Sequence, residues 1–233
     1  MRRLVLAVPL ALALAPAAQG AEVHTTVGCY HQKTTVVDGR QVDAQPTVSA
    51  AGTGFPPSQS YNVLLDGLPL NGVPLATDEN GTLTGTFHPP LLRRSQNERT
   101  FRLSVVYADQ TATTTFGVTR FLVRFAGKGN PAKLRVRFAV YGFALDQREP
   151  RPDVYVHWIS PRGRWKASAK LGHARGLCGS LKTTKRRLFP FKPRESGLWR
   201  LQFDTHHKFR RGTAKSKFLF YTAGVTVDLG RRR

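Results

Sequence analysis

Cys178 follows His173 by five residues in GHARGLCGSL, with basic residues on both sides of the pair. A thiol near an imidazole in cationic surroundings is the smallest set that makes a thiolate nucleophile, because positive charge stabilises the deprotonated sulfur. The other cysteine, Cys29, lies far upstream. Two cysteines are an even number, and in an oxidising compartment the competing fate is a bond between them. The expectation is a Cys29–Cys178 disulfide that staples an early part of the chain to a late one. Only the folded chain shows whether the two β-carbons come within roughly 4.5 Å.

The other chemistry-bearing residues are weaker candidates. His206-His207 could join Asp204 and His173 around zinc, but adjacent side chains on a strand point to opposite faces, so at most one of the pair serves a given site. His24, His31, His88 and His157 are scattered. Asp66, Asp78, Glu79 and Asp109 lack the spacing that gathers roughly six to eight oxygens around calcium. Six acidic residues in the second half show no cluster of acids and aromatics of the kind that flanks a glycosidic cleft. No metal, no cofactor and no enzymatic activity is expected.

Charge is the most informative quantity. Of the 36 Lys and Arg and the 14 Asp and Glu, residues 1–119 hold 8 of each and residues 120–233 hold 28 and 6, so the whole excess of +22 lies in the second half. The basic residues there alternate with aromatics. The contact set this pattern points to is Arg162, Arg164, Trp165 and Lys166, then Lys185, Arg186 and Arg187, then Lys208, Arg210 and Arg211. Arg and Lys would pair with phosphate or carboxylate, and one aromatic would stack. Such a field attracts polyanions: an anionic wall polymer, a membrane surface, or nucleic acid without sequence specificity. Trp199 alternates with Leu201 and Phe203 and reads as core, whereas Trp165, between Arg164 and Lys166, reads as exposed.

The elements that must position these residues are short strands. Pro46 to Ala50, Tyr61 to Leu65, Thr82 to Phe87, Thr100 to Tyr107 and Thr111 to Val118 have strand composition. Val37-Asp38-Gly39, Gly54-Phe55-Pro56-Pro57, Asp66-Gly67, Asp78-Glu79-Asn80-Gly81 and His88-Pro89-Pro90 punctuate them. No window carries a capped helical period, and turns at this spacing point to an all-β sandwich or barrel. Asn80-Gly81 suits a tight hairpin with positive φ at both residues.

The layout then repeats. Gly54-Phe55 matches Gly142-Phe143, YNVLLDG at Tyr61 to Gly67 matches VYVHWIS at Val154 to Ser160, and Asn80-Gly81 matches Cys178-Gly179. Phe101, Leu103 and Val105 match Trp199, Leu201 and Phe203, and TATTTFGVTRF matches KSKFLFYTAGVTV. A repeat of this kind is expected to be two modules in series, residues 21–119 near-neutral and 120–228 strongly basic, with a basic tail at 229–233. The junction near Arg120 has few Gly or Ser residues and is expected to be stiff.

The run VSAAGTGFPPSQSYNVLLDG, with TDENGTLTGTF and RTFRLSVVYADQ after it, resembles the immunoglobulin-like repeats related to the IPT/TIG type in secreted and surface proteins of bacteria. There a G-x-G-F-x-P segment follows the first strand, Y-x-V-x-x-D-G forms the next, and D-x-N-G makes a hairpin. The second module departs from that pattern, with Val140-Tyr141-Gly142-Phe143 in place of the first motif and no Asp-Gly after Ile159. Its CGSLKTTKRRLFPF and GLWRLQFDT segments resemble secreted bacterial proteins that pair such a module with a basic one. The resemblance implies tandem immunoglobulin-like sandwiches serving as spacers, adhesion units or binding platforms, and fold does not choose among these. L,D-transpeptidases also carry such modules and a Cys–His pair. Their His-Gly directly before the cysteine and Arg shortly after it are missing here, where Gly176-Leu177 precede Cys178.

Residues 1–20 read as a signal peptide, with Arg2 and Arg3 before the apolar run Leu4 to Ala18 and small residues for cleavage near Gly20 or Ala21. Thr26-Val27-Gly28 before Cys29 does not resemble a lipidation signal. The expected protein is secreted or associated with the cell envelope and non-enzymatic, its basic half on an anionic polymer. Adhesion to a protein partner is the alternative, and an envelope hydrolase or transpeptidase the second.

Overall fold

The computed structural model describes residues 20–70, 75–107, 110–145 and 152–230, and among them the chain is all β, with no helix. The signal peptide, apart from Gly20, lies outside the described residues, as do Asp109 and residues 231–233 of the tail.

Period-two alternation builds the first half. Strand Ser60–Leu65 buries Tyr61, Val63 and Leu65, Glu98–Tyr107 buries Phe101, Leu103 and Val105, and Gln110–Thr119 buries Phe116 and Val118. These strands are antiparallel neighbours, so their alternate side chains meet on one face. Val48–Thr53 and Leu83–Phe87 supply Val48, Ala50, Leu83 and Phe87 to the same core. Phe116 lies at its centre, stacked on Phe101 at 5.5 Å and edge-on to Phe87 at 5.7 Å. Such sharing of one core by alternate residues is consistent with a β-sandwich. Glu22–Thr25 pairs antiparallel with Val48–Thr53, and Cys29–His31 then pairs parallel with Gln110–Thr119. Cys29 is thereby carried to the end of this core that adjoins the second half.

The five strands named from composition lie within three residues of their expected ends, while Glu22–Thr25, Cys29–His31, Thr34–Val37, Arg40–Asp43 and Leu75–Thr77 are additional. The turn at Asn80-Gly81 differs from expectation. Only Gly81 has positive φ, at 73°. The Asp78 carboxylate accepts the Asn80 and Thr82 amides at 2.9 and 2.8 Å, and this Asx bond replaces the two-residue hairpin. Paired positive φ occurs instead at Asp38-Gly39 and Asp66-Gly67.

In the second half, Trp165–His173, Asp153–Ile159, Gly197–Asp204 and Phe220–Val227 form an antiparallel sheet in that order. Leu122–Arg124, Ala139–Tyr141 and Leu181–Lys182 form another, and Arg135–Val136 pairs with Arg186–Arg187. A second core gathers Val154, Val156, Trp158, Trp199, Leu201 and Phe203 with Phe138 and Phe143. Trp199 is buried, as its alternation predicts, and so is Trp158. Their indole N–H groups donate to the carbonyls of Glu195 at 3.0 Å and Leu188 at 2.9 Å, which satisfies the one polar atom each ring takes inside.

A third, smaller apolar group lies between the two cores, made of Cys29, Cys178 and Leu145 with Phe121 and Leu219 against it. Cys29 and Cys178 are joined in a disulfide, with Cα atoms 5.2 Å apart. Nearby, the Ser180 hydroxyl donates to Glu98, adding a polar link across the junction to the covalent one. Arg120, at the end of the first half, is pinned by Asp43 at 2.6 Å and by the carbonyls of Leu92, Arg93, Arg94 and Gln96. The hydroxyl of Thr34 and then the guanidinium of Arg120 hold the Asp43 carboxyl below the usual carboxylate range.

A carboxyl whose pKa falls on folding binds its proton more tightly in the unfolded chain, so its contribution is whole above the ordinary value and vanishes as pH falls through the lowered one. Stability in urea is therefore expected to decline as pH drops below about 4, and Asp43→Asn should flatten part of that decline. A decline of the same steepness in the variant would remove Asp43 from the account.

Candidate anion-binding face

One face of the four-stranded sheet packs on the second core, and the other carries polar residues at the alternate positions. His157 is in register with Ser168 on one side and Gln202 on the other. His157 and Asp204 are fully buried and Gln202 nearly so. Buried polar groups on a sheet's outer face demand partners and a cover. Both come from the segment after Asp204. The carboxylate accepts the His206 amide at 2.8 Å, the Gln202 amide nitrogen at 2.7 Å and His157 Nε2 at 3.2 Å. Gln202 also donates to the Arg210 carbonyl at 2.7 Å and accepts the Gly212 N–H at 2.9 Å. These bonds draw the HHKFRRG segment across the sheet, and Phe209 settles over His157 with ring centres 5.5 Å apart.

The network continues outward to the surface. His157 Nδ1 lies 2.5 Å from the Ser168 hydroxyl; in the neutral tautomer whose Nε2 donates to the carboxylate, the hydroxyl donates to it. Ser168 Oγ in turn accepts the Trp165 indole N–H at 3.0 Å. A β-bulge makes this possible. Ile159 pairs with Trp165 but Trp158 pairs with Ala167, so Lys166 is an extra residue. Without it Trp165 would share the core face with Ala167 and Ala169; the bulge turns it to the outer face beside Ser168. There it is 53% exposed, and its ring plane lies within 6° of that of Phe209, with centres 6.4 Å apart.

Ser168, His157 and Asp204 stand in the order of an acyl-transfer relay. The seryl oxygen also accepts the indole N–H and the imidazole lies against Phe209, so one chain of hydrogen bonds runs from Asp204 to Trp165.

The structure divides the ten sequence-selected residues into two groups. Arg162, Arg164, Trp165 and Lys166 on one hairpin meet Lys208, Arg210 and Arg211 on the covering segment, where Arg211 donates to the Gly163 carbonyl at 2.8 Å. Lys185, Arg186 and Arg187 lie apart, beside Arg135, whose guanidinium donates to the Lys185 carbonyl at 3.3 Å. Arg186 is committed to the fold: it caps the carbonyls of Lys170 and Leu171 on the sheet's edge strand at 3.1 and 3.3 Å. Arg162 and Lys166 share Glu195 at 3.8 and 3.2 Å. Arg164, Lys185, Arg187, Lys208 and Arg210 are exposed and have no side-chain partner among the described residues.

Between the groups the edge strand offers Lys170, bound with His173 to Asp153. The hydrogen bond from Lys170 and then the charge of His173 lower the Asp153 pKa. Along the same edge a groove of about 640 Å³ runs past Lys166, Ser168, Phe191, Lys192, Arg194 and Trp199.

Several other residues weighed on sequence have local partners. The Cys178 sulfur is bonded to Cys29 and is no nucleophile. Asp66 binds Arg99 at 2.6 Å and the Arg102 amide at 2.8 Å, and Asp78 closes its own turn. Sequence reading missed Ser168, His157, Gln202 and Phe209. Its one available signal was polar His157 between Val156 and Trp158, and polar Gln202 between Leu201 and Phe203. Comparison of the sequence with protein-family models and with curated proteins finds no match.

Proposed function

We propose that this chain is a secreted, non-enzymatic binding protein of the cell envelope, built of two immunoglobulin-like modules in series, and that its basic second half contacts an anionic polymer of the envelope. The observation that carries the reading is that exposed cations of this half, Arg164, Lys185, Arg187, Lys208 and Arg210 among them, are left without carboxylates. Four described acids remain in that half, and Asp153, Glu195 and Asp204 are already engaged. Unneutralised surface charge of one sign raises the local concentration of polyanions. The disulfide supports an oxidising compartment outside the cytosol.

The tandem reading draws on matching pairings in the two halves. Ser60–Leu65, Glu98–Tyr107 and Gln110–Thr119 are successive neighbours, as are Asp153–Ile159, Gly197–Asp204 and Phe220–Val227. Gly54 and Gly142 both have positive φ, 79° and 83°, and both precede a buried Phe. A β-carbon on Gly81 would meet the Phe55 carbonyl at 2.1 Å, and one on Gly179 the Ala144 amide at 2.3 Å, so each second glycine is wedged against the chain just after the first.

The test is co-sedimentation of the full chain with purified cell envelope over a salt series. Retention is expected to fall steeply with salt, and replacing these five cations by Ser should flatten the slope by about one unit for each that is in contact. Retention that ignores salt would overturn the polyanion reading. It would favour protein adhesion, for which the exposed Val36, Val37 and Val42 of the Thr34–Val37 and Arg40–Asp43 hairpin are the surface to examine.

A further inference from the structure

We infer that Trp165 and Phe209 form a stacking platform for the sugar rings of an acidic polysaccharide, an assignment that rests on the polyanion reading and narrows it to one chemical class. An indole with half its surface in water forfeits burial that a core position would supply, so its placement needs a reason. Here the placement is enforced from below. The Trp165 N–H is bound inward to Ser168, Ser168 to His157, and His157 to a carboxylate with two further donors. A ring held by a fully bonded buried network loses little freedom on meeting a ligand, which is how support beneath a contact residue raises affinity.

With its polar edge turned inward, the indole presents a flat, electron-rich face, and the neighbouring Phe209 ring lies parallel to it. The C–H faces of a pyranose are electropositive and pack on such surfaces. Arg164 flanks Trp165 in the chain, and Lys208 and Arg210 flank Phe209, all three exposed and unpaired. Guanidinium groups bind carboxylate and sulfate in the two-pronged fashion that fixes a polymer's orientation. A polyphosphate or a layer of phosphoglycerol headgroups engages the cations but has no sugar face to set on an aromatic platform. Single-stranded nucleic acid would use both features; the disulfide-permitting compartment favours the glycan.

The experiment titrates the full chain at low salt with an oligogalacturonate and, separately, with inorganic polyphosphate of matched charge. Affinity is read by calorimetry, and saturation-transfer NMR reports which sugar protons lie against aromatic rings. Trp165→Ala is expected to weaken oligogalacturonate about tenfold and polyphosphate less than about twofold, with Phe209→Ala acting in the same direction. Ser168→Ala, which frees the indole, should weaken only the glycan, and Ser168→Thr should restore it. Equal loss on both polymers, or loss on neither, overturns the platform while leaving the polyanion reading intact. Binding of neither polymer by the parent chain overturns both. A single-stranded polynucleotide that binds more tightly than the oligogalacturonate, with the same dependence on Trp165, reassigns the platform to bases and overturns the glycan.

Discussion

Replacing Cys29 and Cys178 together by Ser is expected to remove about 3 to 5 kcal/mol of stability in urea. The two residues are 149 apart in sequence, and in the chain-entropy account a loop of that size closes at a cost of about 5 kcal/mol, which the disulfide takes out of folding. The bond joins the Cys29–His31 strand on one core to the segment preceding Leu181–Lys182 on the other. Its loss should therefore also separate what the two cores do. Trp158, Trp165 and Trp199 all lie in the second half, so tryptophan emission reports that half alone, while far-ultraviolet dichroism reports both. In the parent the two signals are expected to change together, and in the double-serine variant to part. A loss under about 1 kcal/mol with coincident transitions would mean that the surrounding packing, and not the crosslink, holds the halves.

Gly117 provides an internal control. A β-carbon there would lie 2.4 Å from Cys178 Sγ, so Gly117→Ala must displace the sulfur or the strand. Its cost should shrink in the serine background, where the side chain at 178 is free to turn, and the two effects should not add.

The second large effect is expected at Asp204. Removing its carboxylate by Asp204→Ala strands three buried donors, on His157, Gln202 and the His206 amide, and should cost about 3 to 5 kcal/mol. Asp204→Asn keeps the shape and one acceptor oxygen, so a smaller loss of about 1 to 2 kcal/mol is expected. Urea unfolding measures both. Once the carboxylate is gone, His157→Ala should add little, because the interaction it would break no longer exists. Full additivity of the two substitutions would show that they do not act through one network. The covering segment depends on the same bonds, so the Asp204 variants should also be cut by protease near Lys208, Arg210 and Arg211 faster than the parent.

These two sites illustrate what alternation in a sequence conveys. Period-two patterning made Phe101, Leu103 and Val105, and likewise Trp199, Leu201 and Phe203, legible as core, because Arg102 and Ser104, and Arg200 and Gln202, alternate with them and the face they share is forced. The same rule assigns His157, Gln202 and Asp204 to a solvated face. They are instead buried, because a segment from outside the strand folds back over them, and no local pattern announces that cover.

Arg186 and Arg211 show the same gap on the surface. As letters they match Arg187 and Arg210, yet one pair is bound to backbone carbonyls of the fold and the other is free in water. Composition counts charges, and only the path of neighbouring backbone decides which of them remain available.

The sequence by itself determined the all-β class, the positions of the longer strands of the first half, the burial of Trp199 and the confinement of all the excess charge to one half, since each follows from residue type and short-range spacing. Tertiary structure alone decided that Cys29 meets Cys178, that Lys166 bulges and turns Trp165 outward, and that Ser168, His157 and Asp204 support it. These depend on contacts between segments far apart in the chain, whose closure is settled by the packing of the whole and leaves no periodic trace in any one of them.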